Sequence, residues 1–283
     1  MKIEHNFLNF SASGAKTGYI DLARALSAVN AKSITQTIRK DGKYKPLTYM
    51  IRIRALTGTG TFQYLPSSYP IRNSVVLAGA ARDAMLDSAG ISRSNLETYQ
   101  KELRIKLEAG NTDTNQFFPY ALSMGTSYGG FGETLTYDYT KLTMARPDEA
   151  ADSITLPLNM LGEQNANEDS WDSDSGWYVI DNWRKFRKEF TEQSSSDDSE
   201  NNIFSWVMQQ GSTAGDILDR LDDEQDEKPY NLFEFRSQMC GTIISTAVGS
   251  PTSPILSVPL GLLKLTTDAT AGFEIEVVGV AEL

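Results

Sequence analysis

Leu47-Thr-Tyr-Met-Ile-Arg-Ile-Arg54 alternates apolar and polar side chains. Leu47, Tyr49, Ile51 and Ile53 share one face, and Arg52 and Arg54 share the other. That two-residue period belongs to a β-strand with one buried side. The same pattern closes the sequence. Within Phe273–Val280, Phe273, Ile275 and Val277 share a face, and Glu274 and Glu276 lie opposite. A one-sided strand needs a second layer over its apolar face, so both stretches point to a packed β-sandwich.

Towards the N-terminus, Ile3–Phe10 reads as a short strand, with Leu8 and Phe10 on one side and Ile3, His5, Phe7 and Asn9 on the other. Ser11–Gly14 is a turn cluster. Leu22, Leu26 and Val29 follow helical spacing within Tyr19–Asn30, and Asp21 is placed to cap that helix. Ser33–Arg39 alternates as a strand, and Asp41-Gly42 marks a turn.

Towards the C-terminus, Thr57-Gly-Thr-Gly-Thr61 reads as a flexible turn before Phe62–Leu65. Val75, Val76, Gly79, Ala80, Asp83 and Leu86 form a stripe that predicts a helix over 72–89, ended by Gly90. Ser92–Tyr99 reads as a second short helix, and Leu103–Leu107 and Thr134–Leu142 as strands. Residues 159–176 and 192–202 are polar and read as loops. Between them Trp183, Phe186 and Phe190 keep helical spacing, and Ile203–Leu221 is a helix candidate interrupted by Gly211 and Gly215. Strand signals return at Phe233–Met239, Thr242–Val248, Ile255–Leu265 and Phe273–Val280. The sum is a mainly β sandwich or barrel, one domain over 1–283, with helical and loop insertions at about 66–98 and 159–232. Strand and helix do not alternate regularly, which argues against a doubly wound α/β sheet.

Composition narrows the function classes. The 283 residues include one Cys, Cys240, and one His, His5. A disulfide framework, a cysteine-rich zinc site and a multi-histidine metal site within one chain are excluded. A charge of −11 disfavours free nucleic-acid binding, and a mean hydropathy of −0.35 fits a globular chain. No apolar run is long enough for a transmembrane helix. Met1–Asn6 lacks a signal core, so synthesis inside a cell is expected. The charge is polarised: residues 1–110 carry 16 Lys/Arg against 8 Asp/Glu, and 111–283 carry 10 against 29.

Catalytic equipment is thin, and the chain does not read as an enzyme. His5 has no neighbouring motif for a general base, and Cys240 has nothing nearby to make it a thiolate. Gly58-Thr-Gly60 and Gly129-Gly-Phe-Gly132 lack the phosphate-loop ending. Asp169–Gly176 fails the EF-hand spacing, and Asp222–Glu227 reads as a solvated run. No metal or cofactor is implied. The one compact basic and aromatic cluster is Trp183, Arg184, Lys185, Arg187 and Lys188, with Phe186 among them. It suits a subunit interface, or contacts to phosphates and stacked bases. Neither end carries a basic arm.

Two stretches resemble the jelly-roll capsid proteins of small icosahedral viruses, in particular single-stranded-DNA viruses and tailless phages. One runs from Ile20–Asn30 through Tyr49-Met-Ile-Arg-Ile53 to Leu65-Pro-Ser-Ser-Tyr-Pro-Ile-Arg-Asn73. The other is Val258–Leu265 followed by Phe273–Val280. The resemblance implies a viral jelly-roll β-sandwich with helical insertions, with one barrel preferred over two. It also implies a major capsid protein that associates with itself, beside other virion proteins, in a virion made in the host cytoplasm. The acidic chain without a basic arm departs from many such capsids, which puts genome binding in doubt but not shell formation. The competing readings are a carbohydrate-binding or glycan-hydrolysing jelly-roll protein, through the aromatic stretch Phe117–Tyr128, and a spike or minor virion protein.

Overall fold

The computed structural model describes residues 3–96, 101–112, 115–119, 139–145, 153–162, 176–192, 244–247 and 252–283. The chain opens with β1 (Phe7–Ala12), β2 (Lys16–Asp21), α1 (Leu22–Asn30), β3 (Thr37–Lys40), β4 (Lys43–Thr57) and β5 (Thr59–Tyr64). There follow α2 (Tyr69–Ser88), β6 (Lys106–Glu108), β7 (Lys141–Ala145), β8 (Ser153–Leu161), β9 (Trp177–Tyr178) and α3 (Val179–Glu192). It closes with β10 (Ile244–Ala247), β11 (Leu256–Pro259), β12 (Leu262–Thr267) and β13 (Ala271–Glu282).

The fold is mainly β. One antiparallel sheet runs β1-β13-β4-β11, with β3 also pairing β4. A second runs β10-β5-β12-β2. Setting β3 and the strands between β5 and β10 aside, the pairing is nested from the outside in. β1 pairs β13, β2 pairs β12, β4 pairs β11 and β5 pairs β10. The contacts β13–β4 and β12–β5 complete each sheet. Both sheets bury their apolar faces in one core with α1, including Leu8, Phe10, Ile20, Leu26, Ile51, Ile53, Phe62, Leu265, Phe273 and Ile275.

Alternation sets the register. Arg54 faces Glu274 and Arg52 faces Glu276 across β4 and β13, with ion pairs of 2.8 and 3.4 Å. Such half-exposed pairs contribute at most about 1 kcal/mol. A one-residue slip would turn Arg52 and Arg54 into the core, which fixes the register far more strongly.

Between the two sheets the rings of Phe62 and Phe273 meet edge-on, centroids 5.1 Å apart. Gly60 makes room for that contact. A Cβ there would stand 2.4 Å from Phe273 Cζ and 3.0 Å from Leu265 Cδ1. Gly60→Val is therefore expected to destabilise the chain by about 1–3 kcal/mol, read from urea denaturation. A variant as stable as the parent would mean that the ring can shift without cost.

The segment between β5 and β10 builds a second core. Its sheet runs β6-β8-β7, with β9 also on β8, and the β6–β8 and β8–β9 pairs are parallel. Leu103, Ile105, Leu158, Met160, Trp177 and Val179 pack there with Ile71, Val75 and Ala78 of α2.

Several boundaries differ from the sequence reading, each for a tertiary reason. The first strand is Phe7–Ala12, and Ile3 lies before it. The first helix begins at Leu22, because Tyr19 and Ile20 are needed to pair Lys264 and Leu263. Asp21 caps it as expected, accepting the Arg24 N–H at 3.0 Å. Only Thr37–Lys40 of the stretch 33–39 and its neighbour forms a strand. Gly58 alone (φ +67°) turns the chain between sheets, and Thr59–Thr61 is already strand. Ile255–Leu265 is two strands in opposite sheets, broken at Leu260-Gly261, both with positive φ. Asn159–Leu161 is the buried end of β8 and not a loop. The described part of Ser92–Tyr99 is a 3-10 turn, Arg93–Asn95. β7 begins at Lys141, and residues 134–138 lie outside the described residues, as do the stretches Ile203–Leu221 and Phe233–Met239.

Candidate functional site

α3 carries the basic and aromatic cluster singled out in the sequence. Its amphipathic spacing turns Trp183 inward, 7% exposed, where it meets the Tyr69 ring edge-on at 6.1 Å. Tyr69, Asn73, Val76, Leu77 and Ala80 of α2 line a groove of about 480 Å³ with Trp183 and Phe186. The helical stripe expected on α2 thus divides into two faces. Val75 and Leu86 turn to the core, whereas Val76 and Ala80 face α3. Arg184 is half-buried, and Arg184 and Lys188 sit one turn apart, with Lys185 and Arg187 between them on the same helix. The structure brings Trp183 and Phe186 together on α2.

A second basic and aromatic cluster has no sequence signal, because its members come from four separate stretches. Tyr44 on β4 is buried, and Arg82 of α2 donates to its hydroxyl at 3.0 Å. Arg93 also donates to that hydroxyl and reaches Asp83 at 2.7 Å. Arg39 of β3 reaches the other Asp83 oxygen at 2.8 Å. Three guanidiniums and one carboxylate fasten the β3–β4 hairpin to α2. A Cβ on Gly79 would strike the Tyr44 ring at 2.3 Å, so the helix needs glycine to approach.

A third constellation joins the two antiparallel sheets to the segment between β5 and β10. Asp21 is 3% exposed. Besides the Arg24 N–H it accepts from Gln36 Nε2 at 2.8 Å and from the Tyr139 hydroxyl at 3.2 Å. Gln116 Nε2 donates to the Tyr139 hydroxyl at 2.7 Å and to Asn111 Oδ1 at 2.8 Å, and Arg24 donates to Gln116. Gln36 Oε1 in turn accepts the Ile105 N–H at 2.6 Å. Burial pushes the Asp21 carboxyl up to about 6, against the pull of Arg24, Tyr139 and Gln36. Burial and the Asp21 charge push the Tyr49 and Tyr139 hydroxyls well above the usual phenol range. Nearby, Glu108 of β6 accepts from Lys264 of β12 at 2.6 Å and from the Tyr19 hydroxyl. These are joints between layers, built by residues up to 156 positions apart. Of their members only Asp21 carried a sequence signal, as a helix cap.

The other sequence candidates are placed as follows. His5 is exposed, and its main-chain N–H and C=O bond the Asn30 side chain. Phe117 is buried with Lys16 Nζ 5.1 Å over its ring, and Arg24 lies 4.8 Å over Phe118. Phe117 belongs to the core shared by the two antiparallel sheets, and Phe118 is half-buried. Cys240, Asp169–Ser175, Asp222–Glu227 and Tyr120–Tyr128 lie outside the described residues. Among the described residues no three His, Cys, Asp or Glu side chains are grouped to hold a metal, and no helix is long and apolar enough to cross a membrane.

Compared with known proteins, the chain matches no family model, no curated protein and no solved structure. Its function is therefore argued from geometry.

Proposed function

We propose that this chain is a single jelly-roll shell protein, the major capsid protein of a small icosahedral virus. The observation that carries the reading is the nested pairing of first strand with last, second with second-last, and so inward. A hairpin of eight strands rolled up in this way gives two facing four-stranded sheets, which is a jelly roll. The orders β1-β13-β4-β11 and β2-β12-β5-β10 fit it. The third sheet, with its parallel pairs, reads as an insertion in one roll and not as a second roll. The resemblance of Ile20–Asn73 and Val258–Val280 to viral shell proteins points the same way.

Fold alone does not give function. The shell reading adds that the molecule acts through its outer surfaces, with many copies burying complementary patches until a symmetric assembly closes. The polarity of charge between residues 1–110 and 111–283 supports such complementarity. Arg184, Lys185, Arg187 and Lys188 would then serve as interface or phosphate contacts, with Trp183 holding their helix against Tyr69 of α2.

Size-exclusion chromatography followed by electron microscopy of the purified chain tests this. Closed particles are expected. A discrete soluble oligomer that binds glycans would overturn the reading in favour of a sugar-binding jelly roll. Particle yield is also expected to fall as salt rises, since screening in 1 M salt cuts the reach of charge attraction to ~3 Å. Yield that rises with salt would show that apolar burial dominates and that the charge polarity is incidental.

A further inference from the structure

β1 ends its sheet. The Val277 N–H donates to the Asn6 carbonyl at 2.7 Å, so Asn6, Leu8, Phe10 and Ala12 turn their main-chain groups to β13. By the strand's alternation Phe7, Asn9 and Ser11 turn theirs outward. Among the described residues none bonds those outward groups. Other edges are blunted in ways natural sheets commonly use. Phe117 covers the edge of β2, donating its N–H to the Tyr19 carbonyl at 2.8 Å. β3 carries Arg39 and Lys40, and β11 is short and ends on Pro259. Among the described residues nothing covers the edge of β1. Phe7-Leu-Asn-Phe-Ser-Ala12 contains no charge and no proline, its pairing has no bulge, and Phe7 is 53% exposed.

We propose that β1 pairs with β1 of a second copy, antiparallel about a two-fold axis at Asn9, so that two of the five-stranded sheets become one continuous sheet. The register follows from which groups are free. Phe7, Asn9 and Ser11 of β1 offer outward groups, and one antiparallel register uses all three: Asn9 faces the partner's Asn9 and Phe7 faces the partner's Ser11. Each facing pair exchanges two hydrogen bonds, and the contact is isologous. The symmetry of the free edge favours a second copy as the occupant. The strand itself is neutral, so a copy meets no like charge across the axis. Its outward groups are centred on Asn9, so an identical strand satisfies all of them at once. The contact does not depend on the shell reading, because a dimer suffices.

Cysteine cross-linking of the full chain in a Cys240→Ala background tests the register. Facing residues in a hydrogen-bonded pair have Cα atoms about 5.5 Å apart, within disulfide reach. Asn9→Cys is expected to give a covalent dimer under mild oxidation. Ser11→Cys alone is expected to give none, and a mixture of Phe7→Cys with Ser11→Cys is expected to cross-link. In sedimentation velocity Asn9→Lys and Asn9→Glu should each lose the dimer, and mixing them should restore it, since residue 9 meets itself. Ser11→Cys cross-linking as well as Asn9→Cys, or Asn9→Lys associating like the parent, overturns the proposal. Should Asn9→Lys fail to fold by circular dichroism, the cysteine variants decide alone. Particles that assemble without an Asn9 cross-link overturn the edge pairing and leave the shell reading standing. A cross-linked dimer that never closes does the reverse.

Discussion

Deleting residues 270–283 is expected to abolish folding. β13 lies between β1 and β4 and pairs with both, so its loss leaves β1 with no neighbour in the sheet. The deletion also removes Phe273, Ile275 and Val277, each at most 2% exposed. Phe273→Ala alone should cost about 3–5 kcal/mol. Phe273 touches Phe62 of the opposite sheet, and Gly60 against its ring has no side chain to fill the cavity left behind. Total stability of a domain is about 5–15 kcal/mol, so one side chain takes a large share and the whole strand takes more than all of it. Urea denaturation reads the point variant, and far-ultraviolet circular dichroism reads the deletion. A shortened chain that stays soluble, keeps its β signal and melts cooperatively would show β13 to be an exchangeable arm, and the sheet order would need redrawing.

The elements legible in the sequence are those whose patterning is local and one-sided. Leu47–Arg54 and Phe273–Val280 alternate cleanly because one face meets the core and the other meets water, and both strands lie where the alternation put them. The cap at Asp21 was legible because a cap acts within a single turn. Ile255–Leu265 was misread because an apolar run buried on both sides of a corner hides the corner. Leu260 is fully buried while adopting a positive φ that its side chain does not advertise. The boundary at Tyr19–Leu22 was misread for a related reason. Helical spacing continues through residues that β12 recruits as strand, and pairing overrides local propensity.

The candidate sites were less legible. Trp183 and Phe186 had a local signal, and they meet α2 as a helix face would. The Tyr44 and Asp21 clusters join residues from distant stretches, and nothing in a sequence marks Gln36 or Gln116 as the partner of Asp21 or Tyr139. Sheet order belongs to the same class. Each strand's face is written locally, but which strands become neighbours depends on long-range pairing.

Asp21 gives the second large effect, and its sign is set by burial. The carboxyl rises from 3.8 to about 6 chiefly because the interior disfavours its charge. The folded chain therefore holds this proton more tightly than the unfolded chain does. Asp21's contribution to stability is fully present below about pH 3.8 and is lost as pH rises through about 6. The difference corresponds to about 3 kcal/mol between the two limits. Glu102, also raised by burial, works in the same direction, whereas exposed Glu282, lowered by its hydrogen bond from Lys45, works in the opposite one. Asp21→Asn separates the contributions. Asparagine keeps an acceptor for the Arg24 N–H and carries no charge to bury. Its amide N–H₂ would confront Gln36 Nε2, and Gln36 cannot turn round without giving up the Ile105 N–H. That mismatch costs about 1 kcal/mol. The variant is therefore expected to be more stable than the parent at pH 7 and less stable at pH 4, with the two curves crossing between. Urea denaturation at unit steps from pH 4 to pH 7 reads the crossing. Parallel curves would mean that water reaches the Asp21 carboxylate and that the joint between the two antiparallel sheets and the β5–β10 segment is open to solvent.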